Sequence, residues 1–519
     1  MKVQFIWPNF GCPLGISLGI SYLAGVLKSN GIDVNIIHIS EQLDYTFDTN
    51  QILCDIEKYS PDIIAISFGE NHYQEMKLLL KETKQKNLKI PVVFGGIHTT
   101  LNTQKIFDDN PLLDFAIIGE GEDALLELVQ KLEKNISTLN IKNLWIRNGN
   151  EIVKNKMRAL KNLNYISHMH LDSWNINKII NLRNGWFNIS MNRGCPHRCS
   201  FCHNEGFSKI LMQNFNVSSN SNKDIGYLRL RNPDDMISEL VEIKNKYKGI
   251  NAFSFIDDTF TFSKTQMLEF LPKYKEKVGL PFVCLSTVID VDYEILNLLK
   301  DSGCTLIRFG VETATERIKE HIIKRNFSNR KIEEIFDYCR KIGLKTFAYN
   351  ILAHPNETID EILNTLKLNA KILPNGIRVS LGYPYPGTEY YNIAKEMNLI
   401  DDSISSNNYL EVSKFKWDNN TRFLISKISK YYWIYMNSFL NNESSKYYVE
   451  LIKILNDVNL EEYNTEQFHC DFLKKENEIS SKMIDCNITH YYTKFIDRPD
   501  ITILYCSNSE VNKNELDSH

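Results

Sequence analysis

Three closely spaced cysteines constrain this chain more than any other feature. Residues 193–203 read R-G-C-P-H-R-C-S-F-C-H, a C-x3-C-x2-C spacing with an aromatic residue before the last cysteine. Iron–sulfur clusters are held by thiolates that the chain brings together, and Gly194 and Pro196 favour a tight loop. Three local thiolates leave the fourth iron of a four-iron cluster open to a small molecule. The spacing predicts a [4Fe-4S] cluster on Cys195, Cys199 and Cys202.

Two simpler interpretations of these cysteines remain. They could be incidental thiols, or they could form a zinc knuckle. Zinc prefers four ligands, and His197 or His203 could supply the fourth. Spacing alone does not exclude zinc.

The motif resembles the signature of the radical S-adenosylmethionine (SAM) superfamily. The resemblance implies that SAM chelates the open iron and is cleaved to a 5′-deoxyadenosyl radical. It further implies catalysis of hydrogen abstraction from unactivated C–H bonds, with an external electron donor such as flavodoxin or ferredoxin. The protein's part is then orientation and the exclusion of side reactions.

Composition narrows the class of protein. The 519 residues are too many for one core and predict two or three domains. The net charge of −4 gives no global basic footprint for nucleic acid. No apolar run approaches the roughly 20 residues of a membrane span, and the N-terminus does not resemble a signal peptide. Eleven scattered cysteines are typical of a cytoplasmic protein with reduced thiols, and an open cluster favours an anaerobic setting.

Residues 1–140 alternate between strand and helix patterns. Strands are predicted at 3–7, 34–39, 63–68, 91–94 and 115–118, with helices at 16–29, 72–86 and 122–132. Near-continuous apolar strands are typical of a parallel sheet buried on both faces. The pattern predicts an α/β, doubly wound, Rossmann-like domain with its ligand at the carboxyl ends of the strands.

Glycine-rich turns follow most of those strands. Ser67 and the Gly95-Gly96 pair, 28 positions later, resemble the serine and double-glycine elements of cobalamin-binding domains fused to radical SAM enzymes. The D-x-H-x-x-G motif is absent, so the resemblance implies a nucleotide tail bound without a histidine on cobalt. The 9–14 loop is expected to face the lower side of the corrin. The cobalamin-binding residues implied are Asn9, Gly11, Leu14, Ser67, Gly69, Gly95, Gly96, His98, Gly119 and Gly121.

A methylthiotransferase is set aside, because its N-terminal cluster needs three cysteines and this domain has Cys12 and Cys54 alone. Residues 141–184 are interpreted as a linker. They include a predicted hairpin, 144–147 and 151–154, across an Asn-Gly turn.

Residues 185–395 contain six further strand–helix units, which predict a partial (β/α)6 TIM-type barrel with its site at the carboxyl ends of the strands. The radical SAM resemblance extends through this region. It assigns one of Asp257 and Asp258 to the amino group of SAM, and Glu312 to the ribose. Further polar candidates at the carboxyl ends of the barrel strands are Ser286, for SAM, and Tyr349 and His354, for proton transfer or substrate contact.

Residues 396–519 are predicted to be mainly helical, notably 422–440, and to cap the open side of the barrel. Cys284, Cys304 and Cys339 are interpreted as core residues. Cys470, Cys486 and Cys506 lack the compact spacing of a second cluster. The last dozen residues are predicted to be disordered.

The whole pattern favours a cobalamin-dependent radical SAM methyltransferase acting on an unactivated carbon or phosphorus centre of a small molecule or natural product. The first alternative is a cobalamin-fused radical cyclase or rearrangement enzyme. The second is a non-catalytic cobalamin- or SAM-binding protein, which would not need the open iron that the cysteines imply.

Overall fold

The first sheet begins the chain and follows the predicted order of elements. The computed structural model describes residues 1–86, 89–217, 225–404, 412–493 and 501–505. The strands are β1 (Lys2–Pro8), β2 (Asp33–Ile39), β3 (Ile63–Ser67), β4 (Val92–Gly95), β5 (Phe115–Ile117), β6 (Leu144–Asn148) and β7 (Glu151–Lys154). The helices are α1 (Leu18–Ser29), α2 (Thr49–Tyr59), α3 (Tyr73–Gln85), α4 (Ile97–Leu101), α5 (Thr103–Asp109) and α6 (Glu122–Glu133).

The strand order in this sheet is β2-β1-β3-β4-β5-β6-β7, with β1 to β5 parallel. The apolar strand β3 is buried because helices cover both faces of the sheet. The order reverses between β1 and β3, and open α/β sheets bind ligands at such switch points. The predicted doubly wound fold is confirmed.

The hairpin β6–β7 does not stand apart as a linker element, because β6 pairs with β5 and extends the first sheet. After it come α7 (Ile176–Leu182) and a stretch that packs on α1. There the indole Nε1 of Trp174 donates to Ser21 Oγ at 3.0 Å. The stretch that contains Trp174 and α7 connects the first sheet to the second along the chain and packs on α1.

The second sheet contains the six predicted parallel strands. They are β8 (Trp186–Ile189), β9 (Ala252–Phe255), β10 (Phe282–Ser286), β11 (Cys304–Glu312), β12 (Lys345–Leu352) and β13 (Gly376–Leu381). The helices around them are α8 (His203–Phe215), α9 (Pro233–Lys246), α10 (Lys264–Lys277), α11 (Tyr293–Asp301), α12 (Asn329–Lys341), α13 (Ile359–Ile372) and α14 (Glu389–Glu396). Consecutive strands are neighbours, as a partial barrel requires.

The C-terminal region is mainly helical but also contributes two strands. Its helices are α15 (Asn419–Lys430), α16 (Tyr432–Ser438), α17 (Ser444–Asp457), α18 (Leu460–Tyr463) and α19 (Glu466–Asp485), followed by β14 (His490–Tyr492) and β15 (Ile501–Tyr505). The helix predicted over 422–440 is interrupted at Tyr431. Strand β15 pairs antiparallel with β13 and extends the barrel sheet.

Cysteines outside the 193–203 run follow two patterns. Cys284, Cys304 and Cys339 are buried in the core, as predicted. Cys470 and Cys486 are exposed. Cys470 lies on α19 and Cys486 directly follows it, so the two are 16 residues apart, which is about 24 Å of helix. Cys506 and the tail predicted to be disordered lie outside the described residues. None of the described helices is long and apolar enough to cross a membrane.

Candidate active site

The cysteine loop begins where β8 ends at the carboxyl edge of the barrel. Gly194 has φ +92°, and a Cβ there would lie 2.3 Å from the carbonyl oxygen of Tyr227, so glycine is required. A turn follows in which the Cys202 amide donates to the Cys199 carbonyl at 3.0 Å. The loop places three thiols close enough to influence one another's ionisation.

The three thiols lie in a buried environment that suits a metal cluster. Burial raises the pKa of Cys195 to about 12, and burial also raises the pKa of Cys202. Such thiols become thiolates when bound iron supplies the compensating charge. The described residues contain no three His, Cys, Asp or Glu side chains grouped as tightly as the ligands of a single ion; a cluster instead places each thiolate on its own iron. The donor set fits a cluster.

The two histidines beside the cysteines have other partners. His197 Nε2 lies 2.5 Å from Asp290 Oδ2. The ring of His203 packs on Tyr385, with centroids 4.7 Å apart. These contacts turn both rings toward the barrel loops.

The neighbouring acids Asp257 and Asp258 have different surroundings. Asp257 accepts hydrogen bonds from the backbone amides of Met191 and Asn192, so it anchors the start of the cysteine loop. Burial raises the pKa of Asp257 to about 7. Asp258 accepts from the side chain of Asn204, and its charge acts on Cys195. Asp258 therefore faces the cysteines, whereas Asp257 supports their loop.

Glu312 ends β11 with φ +63°, a left-handed conformation that costs energy for a residue other than glycine. Its carboxylate Oε1 lies 3.4 Å from the Arg325 guanidinium Nη1. Burial raises the pKa of Glu312, and Arg325 opposes that shift. Ser286 is fully buried, and its hydroxyl bonds with Thr261.

Two further predicted residues differ in exposure. Tyr349 is partly buried and packs on Phe347 inside the barrel. His354 is fully buried, and its Nδ1 lies 2.9 Å from the hydroxyl of Tyr390. Burial lowers the pKa of His354 to about 3. A packing role is the simpler assignment for His354, in contrast to the expected place in the mouth.

A cavity of about 370 Å³ lies at the carboxyl edge of the first sheet, at its switch point. A Cβ on Gly95 would meet no atom within 4 Å, so the glycine leaves space there. Gly96 has φ +95°, and a Cβ would lie 2.9 Å from the carbonyl oxygen of Phe68. The cavity suits the flat tail of a cobalamin. Of the residues predicted to bind it, five line the cavity: Ser67, Gly95, Gly96, Gly119 and Gly121.

The remaining five predicted cobalamin residues do not line this cavity. Four belong to a neighbouring loop region: Asn9, Gly11, Leu14 and Gly69. Asn9 closes the 9–14 loop through a bond from Nδ2 to the Pro13 carbonyl, 3.2 Å. His98 is buried against Tyr73, and burial lowers the pKa of His98 to about 4.

A largely buried ionic network, for which the sequence carries no local signal, joins the cavity to the cysteine loop. Arg193 lies 3.0 Å from Glu120 and 2.6 Å from Glu122, and Arg229 also binds Glu120. Arg193, Glu120 and Glu122 all line the cavity. Burial alone would raise the pKa of Glu120, but the two guanidinium groups outweigh burial and lower it.

Removing one partner of a buried ion pair is strongly destabilising, because it leaves an uncompensated charge. Glu120→Gln is therefore expected to lower the free energy of unfolding by about 3 kcal/mol. Because the folded-state pKa of Glu120 is depressed, its contribution is present above pH 4.5 and is lost as pH falls through the folded value. Denaturant unfolding at pH 7 measures this loss. Asp44→Asn, in an exposed pair with Lys178, is the control and should change little; equal losses would contradict the prediction.

The comparisons with known proteins agree with both halves of this site. Residues 189–368 match the radical SAM superfamily, and residues 14–129 match the B12 binding domain. An uncharacterized methyltransferase of Pyrococcus horikoshii is 27% identical over 391 residues, covering 74% of this chain and 80% of the relative. An anaerobic magnesium-protoporphyrin IX monomethyl ester cyclase of Cereibacter sphaeroides is 24% identical over 426 residues, covering 78% of this chain and 65% of the relative.

Among solved structures, the cobalamin-dependent S-adenosylmethionine radical enzyme OxsB with aqua-cobalamin bound has a similar fold. The TM-score is 0.66 at 14% identity, and the match covers 93% of this chain and 80% of OxsB. The chain belongs to the radical SAM superfamily and is an enzyme with a B12 binding domain ahead of its radical SAM domain. Its cofactors are a [4Fe-4S] cluster, SAM and cobalamin.

Proposed function

We propose that this enzyme is a cobalamin-dependent methyltransferase acting on an unactivated carbon or phosphorus centre of a small molecule. The observation that carries the proposal is the shared wall between its two cofactor regions. Ser67 and Gly95 of the first sheet line the same cavity as Asn192 and Arg193, which lead into the cysteine loop. When bound, the cluster with SAM supplies a radical and cobalamin supplies a methyl carrier.

Each part of the chain has a definite task in this proposal. Cys195, Cys199 and Cys202 hold the cluster. Glu312 is buried and Asp258 is exposed, and the surrounding protein raises the pKa of both carboxyls by partial desolvation. A cationic amino group stabilises a nearby carboxylate by a charge-assisted bond, so Asp258 suits the amino end of SAM. Glu312 suits the ribose hydroxyls, and the glycines of the cavity hold the cobalamin tail.

The substrate is proposed to lie between the 9–14 loop and the barrel interior. Asn71 Nδ2 lies 3.7 Å from Cys12 Sγ, so this loop contacts the turn after β3. Burial raises the pKa of Cys12, and the positive charge of Arg378 on β13 opposes that shift, which supports a position for this loop near the barrel. Tyr349 is the register neighbour of Arg378 and provides an aromatic wall. A flavodoxin or ferredoxin is the proposed electron donor.

A radical cyclase is the second candidate function, and the similarity to the Cereibacter sphaeroides cyclase favours it. Both functions use the same cluster and cavity. They differ in whether SAM also gives up its methyl group.

The products of SAM distinguish these functions. Anaerobic protein reconstituted with iron, sulfide and cobalamin is given SAM, a strong reductant and candidate substrates, and the products are quantified by mass spectrometry. We expect 5′-deoxyadenosine together with S-adenosylhomocysteine, the latter in proportion to the cobalamin bound. A matched sample without cobalamin should retain the first product and lose the second. 5′-Deoxyadenosine alone in the loaded enzyme would favour the cyclase.

A further inference from the structure

We propose that Arg325 tunes the cluster: its guanidinium donates to the Cys199 sulfur and makes the cluster easier to reduce. The Nε of Arg325 lies 3.2 Å from Cys199 Sγ. Positive charge and hydrogen bonds at the sulfurs set the reduction potential of an iron–sulfur cluster. Arg325 is thus a positioning and tuning residue, a role that goes beyond the proposed methyl transfer.

The segment that carries Arg325 is fastened to the cysteine loop. Ser200, next to Cys199, donates from its backbone amide to the Ile323 carbonyl at 3.1 Å, and from its hydroxyl to the Ile322 carbonyl. These bonds fix the distance between the two segments. The contact between Arg325 and Cys199 is therefore built into the backbone rather than left to a flexible side chain.

The guanidinium itself is held in one orientation. Its Nη1 donates to the Gly310 carbonyl at 2.8 Å and lies 3.4 Å from the Glu312 carboxylate. The group also lies over the ring of Phe327, 5.5 Å from the ring centroid. With Nη1 bound to β11, Nε is left directed at the sulfur. A lysine has one ammonium point charge and does not reproduce this fork.

The sign of the effect follows from charge. Reduction adds one negative charge to the cluster, and a nearby buried cation stabilises that state more than the oxidised one. Cys199 is the ligand that receives this bond. Arg325 therefore favours the reduced cluster, the state that donates an electron to SAM.

The test measures the cluster rather than turnover. Arg325→Gln protein is reconstituted anaerobically without SAM, its iron content is checked, and its reduction is followed by electron paramagnetic resonance in a potentiometric titration. We expect the reduction equilibrium constant to fall about tenfold, which is 59 mV for one electron. Arg317→Gln is the matched control. Arg317 belongs to the same region but pairs with Glu361 on an exposed face, so its potential should equal that of the wild type.

An Arg325→Gln potential equal to that of the control overturns the proposal. If this variant does not hold a full cluster, Arg325→Lys decides. That variant keeps the positive charge and loses the Nε donor. A negative shift of its reduction potential by less than 59 mV therefore supports the proposal. An unchanged potential, or loss of the cluster from Arg325→Lys as well, overturns it and makes Arg325 a structural residue. Because no turnover is needed, failure of methyl transfer leaves this result unaffected.

Discussion

Cys199→Ala is expected to abolish SAM cleavage while leaving the fold intact. Cys199 is one of only three cysteines in the loop and accepts the bond from Arg325. Loss of an outer-shell partner of a metal site typically costs about 10- to 100-fold, so loss of a ligand should cost more than about 100-fold. The measurement is 5′-deoxyadenosine formed per protein under reducing conditions, together with iron content.

The matched control for that substitution is Cys339→Ala. Cys339 is a fully buried cysteine on α12, outside the 193–203 run. It should keep iron, SAM cleavage and cobalamin. A Cys199→Ala protein with a full four-iron cluster and normal SAM cleavage would contradict the assignment of the cluster to these three cysteines.

Gly95→Leu is expected to weaken cobalamin binding and leave SAM cleavage in place. The backbone of Gly95 is not left-handed, and its Cβ direction is open, so a leucine fits the fold and fills the cavity. Overpacking typically costs about 1–3 kcal/mol, so we expect cobalamin to bind about 10- to 100-fold more weakly. Visible absorbance after gel filtration measures the cobalamin retained, and S-adenosylhomocysteine should fall with it.

Gly31→Ala provides the control for general destabilisation. Gly31 has φ +75° and no atom near its Cβ direction, and it does not line the cavity. Alanine there strains the backbone without entering the site. If Gly95→Leu retains cobalamin as well as Gly31→Ala does, the cavity is not the binding site for the tail.

The strand ends of the first sheet and the cavity at its carboxyl edge could be predicted from sequence because their signals are local. Apolar strands followed by glycines mark the carboxyl edge of a parallel sheet, and the Gly95-Gly96 turn lies there. The choice between Asp257 and Asp258 could not be predicted. Adjacent residues of an extended chain point to opposite sides, so the three-dimensional surroundings decide which acid faces the cysteines.

Arg325 and the network at Glu120 could not be predicted, because their partners are distant in sequence. Arg325 lies 126 residues after Cys199, in a stretch rich in lysine and arginine where no residue stands out. The strand β15 did have a signal, since 501–505 reads I-T-I-L-Y, a run of mostly β-branched and aromatic residues typical of a strand. The prediction that residues 396–519 are mainly helical missed this strand.

The pairing of β15 with β13 has a consequence for how the protein is made. About 120 residues separate the two strands in the sequence, and all six parallel strands precede that interval. A nascent chain therefore leaves the ribosome with the cysteine loop complete and β13 as an open edge. Open edges pair readily with other chains. Synthesis of β15 covers that edge only after the three cysteines are already in place.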